Sequence, residues 1–477
     1  MDLLPTEKLT VLQSNVRIND PHLCSDTITS LNLLYATYES LVHLDKNGNY
    51  CPALAESWDV EDDARSWTFN LRTQVTFHNG DKLNAHDVVA SIKRVCDPSV
   101  GGAFGTQGVY CSYIVDAIIK ALDDHTVRIV TARPMADLLD LLVKFPIAPK
   151  RALSSLPGIK IGSGPYRIVE TGDKRVIMEA FEKYWGDQPP AKQVYWQAEP
   201  DEKKRVAALL AGDADIIAGV TLEGKKTIKS AKRATVVEWD SSLCIIFMCN
   251  AQSGACANRR VRQALNYALD KSDIIDKVKG GAAKPLNGPL TPLHFGYDPS
   301  TPPYPYDPTK AQELLAEAGY RDGLHIVMDI PTISPDEAPH LAQLMAEQYS
   351  KVGITIQINE FSDREGYANM VRAKQLDDIC CFDSSPLSTY RVFREKIHSG
   401  FRGPWWEGYS NLDVDALIDK AQTTINKTQR QDIYRRAYRI IRDDAPWIFL
   451  YRPTYFWGVG LRALGWTVGK DGLIRLA

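Results

Sequence analysis

Catalytic signatures are missing from this sequence of 477 residues. There is no G-x-S-x-G, hence no nucleophile elbow, and no G-x-x-x-x-G-K-[ST], hence no phosphate-cradling loop. There is no H-E-x-x-H, and the nine histidines are dispersed, with His78 and His86 set across a turn rather than on one helical face. A metal centre needs three or four convergent ligands, so neither metal nor cofactor is expected. The absence of C-x-x-C excludes a zinc ribbon and a thioredoxin-type redox site. No apolar run approaches the roughly 18 residues of a spanning helix. The polar start, Met1 to Thr10, has no signal-peptide core; it reads equally as a cytosolic protein or as the mature form of an exported one. A net charge of −3 gives no case for binding nucleic acid or an anionic membrane. The local basic run Lys225, Lys226, Lys229, Lys232 and Arg233 reads as a solvated helix face.

What is present is globular α/β material, 44% hydrophobic and 24% charged. Trp67, Phe69 and Leu71 alternate with polar residues as in a half-buried strand, and Val75 to Phe77 extends that pattern to a tight turn at Asn79-Gly80. Asn84 with Asp87 three residues on makes a capping box for a helix over Val88 to Val95. A first helix is expected from about Asp26, and others over Glu202–Leu210, Asn258–Leu269, Pro308–Ala318, Ala338–Lys351, Asp413–Thr423 and Thr428–Arg442. Strands are expected at Leu9–Arg17, Leu243–Met248, Ile354–Ile358 and, last, Trp447–Tyr451. Gly281 to Pro308 reads as a loop.

Nine cysteines leave at least one unpaired. Cys96 and Cys111 flank the glycine-rich stretch Gly101–Gly105 and either close a disulfide or serve as small hydrophobes, as the other cysteines do. Trp405 and Trp406 stand between Gly403-Pro404 and Gly408-Tyr409, where no helical or strand period explains them. Large rings in such a loop wall a ligand or form a satellite cluster beneath the loop.

Several segments together resemble the family 5 solute-binding proteins of ABC transporters (the peptide, nickel and opine type). Asp20-Pro21-His22 and Tyr38-Glu39-Ser40-Leu41-Val42 are similar to its "D-P-H … Y-E-x-L-V", and Pro52 to Arg94 matches its most diagnostic stretch nearly position by position. Gly162 to Tyr166 (GSGPY), Tyr184-Trp185-Gly186, Asn258 to Lys271 and Tyr306 to Gly319 resemble further family motifs in family order. The resemblance implies an α/β, type II periplasmic-binding-protein fold in the large, pear-shaped, three-domain form, with a ligand cleft between two lobes. Residues 1–33, 150–238 and 447–477 would form domain I, and 34–149 domain II, an extra domain of the same lobe. Residues 239–446 would form domain III, the second lobe. Motif residues such as Trp67, Phe77, Asp87 and Arg262 recur in members with unrelated ligands, so they are expected to be scaffold.

In peptide-binding members an aspartate in a W-G-x-D-Y-P-D-P-like segment pairs with the ligand's α-amino group. Here the segment runs Cys381 to Tyr390, and Ser384 and Ser385 stand in its place. In the nickel-chelate member a histidine follows an S-G-x-R-x-P-like stretch; here Trp405 and Trp406 follow Ser399 to Pro404. The resemblance therefore implies a non-enzymatic receptor, monomeric and periplasmic. It would capture a small polar organic solute by hinge closure and deliver it to ABC permease subunits. Opine-like, sugar-derived or modified amino-acid and peptide solutes suit the residues. A di- or oligopeptide receptor with an atypical pocket and a metal-chelate carrier are the alternatives; a chaperone-like binder and a hydrolase fit less well. The expected ligand-binding residues are Thr27, Tyr110, Phe382, Asp383, Ser384, Ser385, Arg391, Trp405 and Trp406.

Overall fold

The computed structural model describes residues 5–23, 28–45, 47–101 and 109–476. The expectations for Asp26, for Thr27 and for most of the glycine stretch after Gly101 lie outside them. The chain forms two compact units, 1–239 with 455–477, and 240–454.

In the first unit the strand Thr6–Gln13 runs parallel to both Ala191–Ala198 and Ile216–Val220. Flanked on both sides, it is continuously buried from Leu9 onward, as an interior parallel strand must be. Arg175–Ala180 and Tyr166–Thr171 extend the sheet antiparallel beyond Ala191–Ala198. On the other side Ile216–Val220 pairs antiparallel with residues 456–459 of the strand Trp447–Gly460. A separate antiparallel sheet has the order Ala55–Val60, Ser66–Leu71, Thr126–Val130, Ile118–Ala121. Trp67, Phe69 and Leu71 are its buried face, as their alternation predicts. The Asn84–Asp87 capping box is present and starts the helix Ala85–Arg94. Val75 to Phe77 does not continue a strand. Phe77 N–H donates to the Asp81 carbonyl and Gly80 N–H to the Phe77 carbonyl, so the turn itself uses these backbone groups.

In the second unit Leu324–Pro331 lies parallel between Ile354–Phe361 and Ile379–Ser384. Cys244–Cys249 then pairs antiparallel with both Ile379–Ser384 and the start of Trp447–Gly460. The core of this unit gathers Phe247, Val261, Leu265, Ile326, Met328, Leu341, Met345 and Ile448 between that sheet and the helices Arg259–Tyr267 and Ala338–Ser350. The final strand is far longer than Trp447–Tyr451. Pro453 disfavours a central strand, yet it pairs with Ala283 of the three-residue strand Ala283–Pro285, itself inside the expected loop, and its carbonyl accepts from Ser241 N–H at 3.0 Å. The helix Leu222–Ala231 carries Lys225, Lys226 and Lys229, as the basic run predicts, whereas the helices Lys271–Lys279, Arg364–Ala373 and Thr389–Lys396, and the strand Ile379–Ser384, are further elements not anticipated from local pattern.

The motif residues of the first unit explain one another. Arg94, at the end of the diagnostic stretch, places both terminal nitrogens 2.7 Å from the two Asp20 carboxylate oxygens. It also donates to His22 Nδ1 at 2.9 Å, while His22 Nε2 donates to the Pro146 carbonyl at 2.9 Å. Burial alone would raise the Asp20 carboxyl, but the hydrogen bond and charge of Arg94 hold it below its ordinary range. Burial lowers His22 to about 4, so it is neutral. The GSGPY segment meets the Asn79-Gly80 turn: His78 N–H donates to the Gly162 carbonyl and His78 Nε2 to the Gly164 carbonyl, each at 2.9 Å. A Cβ on Gly162 would come within 2.0 Å of the Thr37 carbonyl oxygen, and one on Gly164 within 2.7 Å of its carbon, so only glycine allows the approach.

Removing Arg94 strands a buried carboxylate and its histidine. Arg94→Ala is expected to cost about 3–5 kcal/mol of unfolding free energy, read from urea denaturation. His22 and His78, both lowered to about 4 chiefly by burial, take up protons more readily unfolded than folded. Stability is therefore full above the unfolded histidine value of about 6.5 and is lost as pH falls from there towards 4. Denaturation midpoints across that window are expected to fall, and to fall less in His22→Gln.

Candidate functional site

The second unit carries a cluster of rings and cations built from four pieces of chain. The strand Ile379–Ser384 turns Ile379 and Cys381 into the main core, which leaves Phe382 on its opposite face. Trp405, from the loop after the helix Thr389–Lys396, lies against it with ring centroids 4.8 Å apart. Both rings are largely buried, at 6% and 8% exposure. Four cation–ring contacts interleave with this pair: Arg364 over Phe382 at 5.4 Å, Lys396 over Phe382 at 4.9 Å and over Trp405 at 5.6 Å, and Arg372 over Trp405 at 5.1 Å. Arg364 and Arg372 stand about two turns apart on the helix Arg364–Ala373, which presents them on one side.

Lys396 is the most constrained member. It is 3% exposed, and its ammonium donates to the Asp383 carbonyl at 3.2 Å. Burial lowers it to about 8, against the upward pull of Asp383 and Glu395. Arg364 faces the Asp383 carboxylate at 3.7 Å.

The tryptophan loop is held by its own polar contacts. Trp406 Nε1 donates to the Tyr409 carbonyl at 2.6 Å, and Arg402 lies over the Trp406 ring at 5.6 Å. Tyr409 Oη and Asn411 Nδ2 both donate to Asp444, at 2.6 and 2.7 Å. Lys374 donates to the Pro404 carbonyl at 3.0 Å and faces the Glu407 carboxylate at 3.9 Å. Burial pushes Glu407 up to about 7. A Cβ on Gly403 would meet the Glu395 carbonyl oxygen at 2.3 Å, so the chain passes close under the helix there.

Of the residues singled out from sequence, Phe382, Asp383 and Trp405 are brought together here, with Trp406 in the same loop. Ser384 is 1% exposed, and its hydroxyl has no hydrogen-bond partner among the described residues. The Ser385 carbonyl accepts from Ser242. Arg391 is 5% exposed and pairs with Glu395 at 2.8 Å along its own helix. Tyr110 is not part of this cluster: it belongs to the first unit, 1% exposed and edge-on to Phe145. Thr27 lies outside the described residues. Arg364, Arg372, Lys396 and Glu407 were not anticipated. The spacing of the two arginines on one helix was a readable signal, but their arrival over Phe382 and Trp405 is a tertiary fact.

Around the rings Arg364 faces Asp383 and Lys374 faces Glu407, while Arg372, Lys396 and Arg402 stand over ring faces. It is an aromatic wall interleaved with cations. Among the described residues no group of three His, Cys, Asp or Glu side chains is arranged to hold a metal ion, and no helix is long and apolar enough to cross a membrane.

The family model of bacterial extracellular solute-binding proteins, family 5 (Middle), matches residues 49–379. The chain belongs to family 5. Family 5 proteins are the substrate-binding receptors of ABC importers: periplasmic or extracellular proteins that bind solutes and work with a membrane permease, not an enzyme family. Among curated relatives, heme-binding protein A of Haemophilus influenzae is 28% identical over 472 residues, covering 91% of this chain and 85% of the relative. The glutathione-binding protein GsiB of Pectobacterium atrosepticum is 28% identical over 448 residues, covering 90% and 85%. The structure of HbpA2 from Haemophilus parasuis superposes with a TM-score of 0.87 at 22% identity, covering 98% of each chain. The fold is thus the type II periplasmic-binding-protein fold of this receptor family.

Two outcomes test the wall. Trp405→Ala deletes a buried ring and is expected to cost about 3–5 kcal/mol of folding stability by denaturant titration, whereas Trp405→Phe keeps a ring against Phe382 and loses much less. Lys396 loses its proton near pH 8, so tryptophan emission of the native protein is expected to show a step there. Subtracting the same titration of Lys396→Met should isolate the step.

Proposed function

We propose that this receptor captures a small amino-acid-derived solute bearing more than one carboxylate, a class that includes opine-like conjugates and γ-glutamyl peptides, and passes it unchanged to its permease. The observation that carries the reading is the set of cations interleaved with Phe382 and Trp405. A ligand held against cations and ring faces gains most when it brings negative charge of its own, because complementary charge sets which solute is accepted. The serines at 384 and 385 agree with it: a free α-ammonium would find no carboxylate there, and Asp383 is already faced by Arg364. The GsiB relative is a glutathione-binding protein, and glutathione carries two carboxylates. The relative heme-binding protein A is named for a flat dicarboxylate of much larger size. Phe382, Trp405 and Trp406 would give the ligand its apolar faces, and Arg364, Arg372 and Arg402 its carboxylate partners. Capture as a monomer in the periplasm completes the proposal.

A calorimetric and thermal-shift panel separates the classes. A cognate solute at about 100 times its Kd raises stability by roughly 2.7 kcal/mol. Glutathione and amino-acid–keto-acid conjugates are expected to give such shifts, and Arg364→Gln with Arg372→Gln to weaken them. Equal shifts by neutral and basic peptides would establish an oligopeptide receptor instead, and a shift by hemin alone would establish a tetrapyrrole receptor.

A further inference from the structure

Cys96 follows the helix Ala85–Arg94, and Cys111 opens the helix Cys111–Ile114 on the far side of an excursion closed at 15 residues' separation. The chain returns so that Cys96 Sγ lies 3.8 Å from the Cys111 carbonyl oxygen, which brings the two cysteines side by side. Both are half-buried rather than sealed in the core, and the eight described cysteines are all free thiols. The other thiol pair in mutual contact, Cys249 and Cys256, differs: both residues are fully buried in the core of the second unit. Family 5 receptors work outside the cytoplasm, where dithiols in such proximity are oxidised.

We propose that Cys96 and Cys111 are a disulfide-forming pair that staples the two ends of the 97–110 excursion in the oxidised protein. The co-reactant is a disulfide, either of a thiol-oxidising protein or of a small molecule. One thiolate of the pair attacks a sulfur of that disulfide and expels a thiolate, giving a mixed disulfide. The second thiol, losing its proton, then attacks the pair's own sulfur and expels the other half of the oxidant. One S–S bond forms in the receptor, one breaks in the oxidant, and the two protons end on the two released thiols. Burial and the neighbouring thiol push Cys96 up, which slows its own attack on the oxidant.

The test uses the full chain. Purified protein is incubated with hydroxyethyl disulfide, remaining thiols are blocked with N-ethylmaleimide, and the sample is digested without reductant for mass spectrometry. The expected result is a single crosslinked species joining the peptides that contain Cys96 and Cys111, lighter by two hydrogens than the sum of the two. Its formation should raise the melting midpoint by several degrees, and Cys111→Ser should abolish both the crosslink and the shift while melting as the reduced native protein does. Separate maleimide labelling of Cys96 and Cys111 in the fully oxidised sample would overturn the proposal. So would a crosslink confined to Cys249 and Cys256.

Discussion

An ammonium buried against aromatic rings survives only where something offsets its lost hydration, and Lys396 shows what the second unit provides. It has two ring faces, a backbone carbonyl from Asp383, and the carboxylates of Asp383 and Glu395 at a distance. The geometry around it follows from that need. Phe382 must leave the strand on the face away from the core, and Trp405 must return across it. The loop carrying Trp405 must pass under the helix at Gly403, where a side chain would strike the Glu395 carbonyl. Arg364 and Arg372 then close the outer sides of the rings. Each contact is worth little alone at an exposed site; together, and desolvated, they fix the rings in place.

The first unit answers to a different constraint, the mutual packing of the segments that resemble family motifs. Asp20, His22 and Arg94 form one buried, hydrogen-bonded group, and GSGPY passes the Thr37 backbone so closely that only glycine fits at 162 and 164. These residues hold backbone to backbone. They are indifferent to what is bound, so a family can keep them while its loops and helix faces change.

This division explains what was legible in the sequence. The alternation of Trp67, Phe69 and Leu71 and the capping box at Asn84 are local rules, and the structure follows them. The last strand runs past the expected end at Tyr451 because chain distant in sequence, Ala283–Pro285, pairs with it there, a tertiary partner that local pattern does not show. Strand Ile379–Ser384 was passed over because it is apolar on both faces, ICCF, and periodicity has nothing to register there. Within the cluster, Phe382 and the tryptophans stood out by composition and place in a Gly/Pro-rich loop. The cations did not, since Arg364, Arg372 and Lys396 sit on helices that local pattern did not reveal, and their place over the rings is set by tertiary packing. Arg391 stood out for its place beside the serines, yet it is matched along its helix by Glu395, an i,i+4 partner that was visible in the sequence.

The central claim is that the positive aromatic wall selects a solute with more than one carboxylate. The most direct measurement is to express the protein in its exported form, denature it after gentle purification, and identify the released small molecule by mass spectrometry. The account predicts a stoichiometric, amino-acid-derived acid with at least two carboxylates, absent from the Arg364→Gln, Arg372→Gln protein. Release of a neutral or basic peptide mixture, or of a tetrapyrrole, equally from both proteins would contradict it.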